Sequence, residues 1–454
     1  MGYLTNKEIH DFLPAGIRTD TPEDLSKPLR TGLQQEKWFT AAQMAGRNFP
    51  IACVALEITQ RCNLDCSLCY LSEIAEVVKD VPVFELKRRI KMIHAHYGDF
   101  TNVQITGGDP TLRSISELVE IVEEIKSYNM RSALFTNGIK ASRDMLERLS
   151  EAGLDDVVFH VDATQGRKNG NTENLLNSVR LEYINRTEGL PLRVLFNTTI
   201  FDGNFHSIPD LVEFFIDHAN KVSLASFQMQ ADTGRGVLRE RNEDLISQHS
   251  VMALIEKGAG IKLPFDMPLI GHPDCNKYTA LFKAGNARTP LYEDSGFFRQ
   301  LFSLLSEENL KKNWSVGSEI MWETIKACFT SPLLAGRALA YIVRKCWSLK
   351  VGLLTGNRPH RISFFIHNFM DAEKLEAGRC KSCVFMVATA NGPLSMCVHN
   401  AKRNTMISQP VPAIGNNPEW NPIPANLLNQ EPELFSVKRL KGRLRAARNK
   451  EKGL

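Results

Sequence analysis

Glu57-Ile58-Thr59-Gln60-Arg61-Cys62-Asn63-Leu64-Asp65-Cys66-Ser67-Leu68-Cys69-Tyr70 places three cysteines in a CxxxCxxC spacing directly after a short apolar run. Three thiolates can hold three irons of a [4Fe-4S] cubane that takes four ligands, which leaves the fourth iron open to a small chelating molecule. A zinc knuckle or a redox CxxC pair is the competing reading, because short cysteine spacings recur in both.

The next motif outward is Gly107-Gly108-Asp109-Pro110, at the end of the following strand pattern. Paired glycines let backbone approach a ligand closely, and the carboxylate of Asp109 can accept from an ammonium group. A plain strand-to-helix turn is the other use of such a run. With both motifs in place the chain resembles the radical S-adenosylmethionine (radical SAM) enzymes. Cys62, Cys66 and Cys69 match the cluster motif position by position, and Gly107 to Pro110 match the Gly-Gly-Glu-Pro run with an acid one methylene shorter.

The resemblance implies a [4Fe-4S] cluster whose open iron is chelated by the methionine end of SAM. It implies a flavodoxin- or ferredoxin-type electron donor, sulfonium cleavage, and a 5′-deoxyadenosyl radical that takes a substrate hydrogen. It also implies that Gly107, Gly108 and Asp109 position SAM. Many relatives carry an aromatic residue before the third cysteine; here that position is Leu68 and the aromatic is Tyr70, placed among the cofactor contacts.

Strand and helix patterns alternate from Cys53 to Gln230. Strands are expected at 53–59, 102–106, 131–136, 156–161, 192–200 and 221–230, with helices between them. The expected fold is α/β, a partial or full (β/α)6 barrel with a C-terminal cysteine-containing extension for an auxiliary cluster. Barrel chemistry sits at the C-terminal strand ends. Thr136, Asn137, Gly138, His160, Asp162, Asn197, Thr199, Gln228 and Gln230 fall there; Asn137, Asp162 and Asn197 are expected cofactor contacts, with Asp162 and Asn197 the preferred pair. The alternative is that strand-end polar groups only close backbone bonds.

The 454 residues, 43% hydrophobic and 23% charged, suffice for more than one core. The division is an N-terminal extension at 1–50, the core at 51–262, an auxiliary-cluster and apolar helical region at 263–410, and a Pro-rich linker with a basic tail at 411–454. A short amphipathic turn is expected at 32–45. The first 50 residues are too few for a cobalamin-binding unit. Ten cysteines, with no apolar signal segment at the N-terminus, suggest a reducing cytoplasmic setting. Cys275, Cys380, Cys383 and Cys397 suit a second [4Fe-4S] cluster or a structural zinc ion. Cys53, Cys328 and Cys346 read as buried free thiols in apolar contexts.

A narrower resemblance joins 227–235, the ProAspCys at 273–275, the HisAsnPheMetAspAla at 367–372 and the CysValHisAsn at 397–400 to the tetraether lipid synthase group, whose members have also been labelled pterin-directed methyltransferases. It implies radical attack on an unactivated C–H bond of a lipid acyl or alkyl chain. Residues 320–354 are apolar, but Arg337, Arg344, Lys345, Lys350 and the Ser331-Pro332 break interrupt any clean span. Two amphipathic helices are expected there, either core or lipid-facing. The segment 437–454 holds eight Lys/Arg against one Glu, so the net +4 leaves the rest of the chain near −3. That tail suits peripheral contact with anionic headgroups at the inner face of a membrane, and nucleic acid is not an expected partner. Peptide maturation, methyl transfer and a non-catalytic metal-binding scaffold are the other functions considered.

Overall fold

The computed structural model describes residues 2–16, 51–167, 170–236, 245–265, 267–307, 325–326, 328–329, 332–415 and 417–424. The expected turn at 32–45 and the basic tail at 437–454 lie outside the described residues.

Six parallel strands follow one another across the sheet in chain order: β1 Cys53–Thr59, β2 Asn102–Gly107, β3 Arg131–Thr136, β4 Asp156–His160, β5 Arg193–Ile200 and β6 Val222–Met229. Helices cover their outer side. The helix Ile115–Ser127 shows why: Ser114 caps it with Glu117 in a reciprocal capping box, and Leu118, Ile121, Val122 and Ile125 bury one face against the sheet. Each such side chain contributes about 1.5–3 kcal/mol. A charge at Ile121 would break that contact.

The sheet does not end at residue 262, the boundary expected for the core. After the hairpin β7 Asn276–Ala284 and β8 Ala287–Pro290 come β9 His360–Asn368, β10 Phe385–Thr389 and β11 Gly392–Ser395. β9 joins β6 in parallel and β10 joins β1 in parallel, so eight parallel strands form the wall. β7 and β11 flank them as antiparallel neighbours. The ring of Phe385 on β10 lies 4.3 Å from that of His367 and 6.1 Å from that of Phe365, both on β9. The two outermost parallel strands thus meet through side chains, and the sheet curls into a barrel. The extension is part of the barrel wall, not an appendage.

Strand alternation sets the lumen. On β2, Val103 and Ile105 pack outward in a core cluster, while Gln104 and Thr106 line an interior cavity of about 460 Å³. Phe135, Val158, Leu195, Leu224 and Phe365 give that cavity an apolar middle. Asp156 lies at its floor, bonded by Arg193 at 2.6 and 2.7 Å.

In keeping with the two helices expected within 320–354, the described residues there are helical on both sides of the Ser331-Pro332 break: 325, 326, 328 and 329 before it and one long helix, Pro332–Leu354, after it. Leu334, Lys345, Leu349 and Gly352 form its buried side. Cys53 is buried as expected, but Cys328, which precedes this helix, is only partly covered, and Cys346 is exposed on the face the helix turns outward.

Candidate active site

Cys62, Cys66 and Cys69 follow β1 and line the mouth of the lumen. Burial pushes the thiols of Cys62 and Cys66 up, and the neighbouring thiols add to the shift. The loop is held from three sides. Ser67 donates its backbone N–H to the Thr164 carbonyl at 2.9 Å, beyond β4. The second support is the Gly-Gly-Asp-Pro run, which docks on the backbone leading into the cysteines. The Gly108 and Asp109 amides donate to the Thr59 and Arg61 carbonyls, each at 2.8 Å. A Cβ at Gly107 would lie 2.0 Å from the Thr59 oxygen, and one at Gly108 1.9 Å from that of Arg61. The glycines are therefore needed for the approach of this backbone to the cysteine loop, a constraint separate from any ligand.

The third support is Thr233-Gly234-Arg235-Gly236. Arg235 donates its backbone amide to Leu71 O at 2.8 Å, and a Cβ at Gly234 would meet the Tyr70 carbonyl at 2.3 Å. The Arg235 side chain is 1% exposed, pairs with Glu76 at 3.2 Å and, although burial opposes the rise, has its pKa raised by the nearby Cys69. A buried guanidinium beside a thiolate ligand offsets negative charge that burial alone would penalise. In the sequence, Thr233 to Arg235 are part of the resemblance over 227–235, and no local signal marks Arg235 as a support of the cysteine loop.

Asp109 is turned to the ends of its own strands and does not line the lumen. It is fully buried and accepts from the Thr111 amide at 3.0 Å, Thr136 Oγ1 at 3.0 Å and the Asn137 amide at 2.8 Å. It also caps the short turn that Pro110 opens. With its oxygens engaged, Asp109 ties the end of β2 to that of β3. Burial raises its pKa, and these hydrogen bonds oppose the rise.

Asp162 is turned inward in the same way. It bonds the Thr164 amide at 2.9 Å, the Thr199 amide at 2.9 Å and His160 Nε2 at 2.7 Å. Burial alone would raise its pKa, yet His160 and these donors hold it below the usual carboxylate range. His160, not Asp162, lines the lumen. Asn137 and Asn197 line it too, and Asn137 Nδ2 donates to Asn63 Oδ1 at 2.6 Å inside the cysteine loop.

Tyr70 donates its hydroxyl to the Gly107 carbonyl, linking the two motifs directly. Arg403 lies 4.5 Å from the centre of its ring and is also ion-paired with Glu57 at 2.8 and 2.9 Å. Nothing in the sequence joins Glu57 to a residue 346 positions away.

Residues 56–215 match the family described as the Radical SAM superfamily. This stretch contains the end of β1, the cysteine loop, the Gly-Gly-Asp-Pro run and β2 through β5. The chain carries a radical SAM domain. A PqqA peptide cyclase of Bradyrhizobium diazoefficiens is 29% identical over 203 residues, 42% of this chain and 50% of the relative. A 7,8-dihydro-6-hydroxymethylpterin dimethyltransferase of Methanocaldococcus jannaschii is 25% identical over 209 residues, 44% of this chain and 41% of the relative. The chain thus spans half or less of the length of these curated relatives. The crystal structure of Streptococcus suis SuiB bound to precursor peptide SuiA overlays with a TM-score of 0.35 at 15% identity, covering 50% of this chain and 49% of that one.

A radical SAM domain implies a [4Fe-4S] cluster and SAM. The residues present suit them: three thiols share one loop, open to a cavity of about 460 Å³. Among the described residues no three His, Cys, Asp or Glu side chains converge on a single ion. A cubane instead takes one thiolate per iron.

The second cysteine group is also brought together. Cys275, Cys383 and Cys397 surround a void of about 10 Å³ between β9 and β10, with His367 and Arg379. Cys380 is buried nearby, at 3% exposure. Arg379 Nε donates to Cys275 Sγ at 3.3 Å. Burial pushes the Cys275 thiol up to about 11 and that of Cys380 up to about 12, with neighbouring thiols adding to the rise. The long gap between Cys275 and Cys380 is bridged because β7 and β9 are paired, with Asn276 opposite His367.

Proposed function

We propose that this radical SAM domain serves a C–H-activating enzyme whose substrate is a lipid acyl or alkyl chain. Bound at the cluster, SAM supplies on one-electron reduction a 5′-deoxyadenosyl radical able to take hydrogen from an unactivated carbon, which acid-base groups cannot do. A flavodoxin- or ferredoxin-type protein is the proposed electron donor.

Cys62, Cys66 and Cys69 hold the cluster. Backbone at Gly107 and Gly108, with Asn137, Asn197 and Tyr70, holds SAM at the mouth of the barrel. Asp109, Pro110 and Asp162 act on SAM at one remove, by fixing the strand ends around it. The apolar middle of the lumen, from Phe135 to Phe365, receives a hydrocarbon segment and keeps water from the reacting carbon. The opening of three loop thiols onto that cavity is the observation that carries the reading. Its test is anaerobic incubation of reconstituted protein with SAM and dithionite: 5′-deoxyadenosine is expected, and its absence removes the reading. Extracted lipids of a deletion strain test the substrate, and an unchanged profile removes the lipid assignment.

Peptide maturation is the second reading, favoured by the relatives named PqqA peptide cyclase. A cross-link formed in a candidate precursor peptide would establish it. At the second cysteine group the proposal is an auxiliary [4Fe-4S] cluster held by Cys275, Cys380, Cys383 and Cys397. Zinc is the alternative. Iron, sulfide and zinc counts on wild type and on Cys380→Ala/Cys383→Ala decide between them.

A further inference from the structure

The helix Pro332–Leu354 is amphipathic in the unusual sense. Its inner side is anchored by Leu334, Leu349 and a Gly352 whose added Cβ would lie 1.9 Å from the Ala284 carbonyl, on β7. Its outer side carries Leu339, Ile342, Val343, Trp347, Val351 and Leu354, each 55% exposed or more. Spacings of three and four put these side chains on one stripe along the axis. Lone exposed apolar residues are ordinary, but a contiguous stripe on a firmly packed helix marks a contact surface.

Charge selects the partner. The helix holds four cations, Arg337, Arg344, Lys345 and Lys350, and no Asp or Glu. Lys345 turns inward to Glu293 at 2.9 Å, and Arg337 and Arg344 reach Asp294 at 3.0 and 3.3 Å, so both neighbouring carboxylates are already paired. Lys350 stacks over the Trp347 ring at 3.6 Å, on the apolar face itself. A second copy docked by twofold symmetry would set this cationic stripe against itself with no acid of the helix to answer it. An anionic surface that also accepts apolar side chains fits both features. No helix among the described residues is long and apolar enough to cross a membrane.

We propose that the outer face of Pro332–Leu354 docks the protein flat on an anionic lipid bilayer, with its aliphatic stripe and Trp347 at the acyl boundary and Lys350 at the headgroups. This docking is independent of which substrate the lumen takes, because it needs neither SAM nor turnover.

The test is flotation of the full-length reconstituted protein with vesicles of phosphatidylcholine containing phosphatidylglycerol, and with phosphatidylcholine alone. Binding is expected to be stronger to the anionic vesicles. Ile342→Glu/Trp347→Glu is expected to weaken it about a hundredfold, from the loss of two buried apolar side chains. Lys350→Ala should weaken it about fivefold on anionic vesicles. Leu175→Glu, at an exposed apolar site elsewhere, should leave it unchanged. Circular dichroism and cluster absorbance of each variant establish folding, since the substituted side chains point away from the core. Failure of wild type to float with either vesicle overturns the proposal. So does binding that survives the double substitution, which would assign it to another segment. A dimer that the double substitution dissociates, without vesicle uptake by wild type, would transfer the face to a second copy.

Discussion

The two cysteine groups lie in one barrel and differ in what surrounds them. Cys62, Cys66 and Cys69 sit on a loop at the mouth of a cavity of about 460 Å³, with the Arg235 guanidinium against Cys69. Cys275, Cys383 and Cys397 enclose about 10 Å³ between the closing strands, with Cys380 buried close by. Both sets have ligand chemistry, but only the first has room beside it for a further reactant. A site with an open side suits reaction, and one closed by its ligands suits structure or electron transfer.

Substitution at the two groups should therefore have unequal consequences. Cys66→Ala is expected to reduce 5′-deoxyadenosine formation to background, measured chromatographically after anaerobic incubation with SAM and dithionite. Cys380→Ala/Cys383→Ala should lower metal content while SAM cleavage persists, and loss of cleavage in that variant would merge the two sites into one functional unit. A smaller but still large effect belongs to the frame around the first group. Arg403→Met leaves the Glu57 carboxylate buried without its cation, so a loss of about 3–5 kcal/mol is expected in denaturant unfolding. Gly108→Ala forces a Cβ toward the Arg61 carbonyl and should cost about 1–3 kcal/mol, with poorer retention of iron at the first group.

The unequal legibility of these features has physical causes. β1 and β3 run over the residues expected for them, and the other four core strands differ only at their ends, because apolar runs between caps and turns are local signals. Both SAM motifs were legible for the same reason. The incorporation of β9 and β10 into the wall was not, since strand pairing across more than a hundred residues leaves no local trace. The apolar content of 332–354 was visible, but which face it occupied depended on where β7 and β8 lay beneath it. The inward turn of Asp109 and Asp162 was hidden because a carboxylate at a strand end reads alike whether it meets a ligand or caps its own loop.

Asp109→Asn sharpens that last distinction. The amide keeps the size of the carboxylate but faces the Thr111 and Asn137 N–H groups with one acceptor oxygen in place of two. A loss of about 1–3 kcal/mol in stability is expected. SAM affinity per bound cluster, measured by the spectral change on adding SAM, should stay close to wild type. A large loss of affinity at unchanged iron content would return the carboxylate to direct contact with SAM.

The smallest effect separates the frame of the mouth from its metal. Burial alone would raise the Glu57 pKa, but Arg403, His399 and the Gln60 amide outweigh it and bring it down from 4.5 to about 2. A carboxyl whose pKa is lowered on folding binds more protons when unfolded, so its stabilisation is complete above about 4.5 and is lost as pH falls toward 2. Glu57→Gln lowers stability at pH 6 yet removes this one contribution to the acid slope. Burial lowers the pKa of His399 to about 4 while Glu57 raises it, so the comparison is made with His399→Asn in both proteins. Urea unfolding of the metal-free protein at pH 5 and pH 3 should then show a smaller difference between the two conditions with Glu57→Gln than without it. An equal difference would mean that Glu57 does not carry its charge into the folded barrel, and that Arg403 holds the Tyr70 side of the mouth through its ring contact alone.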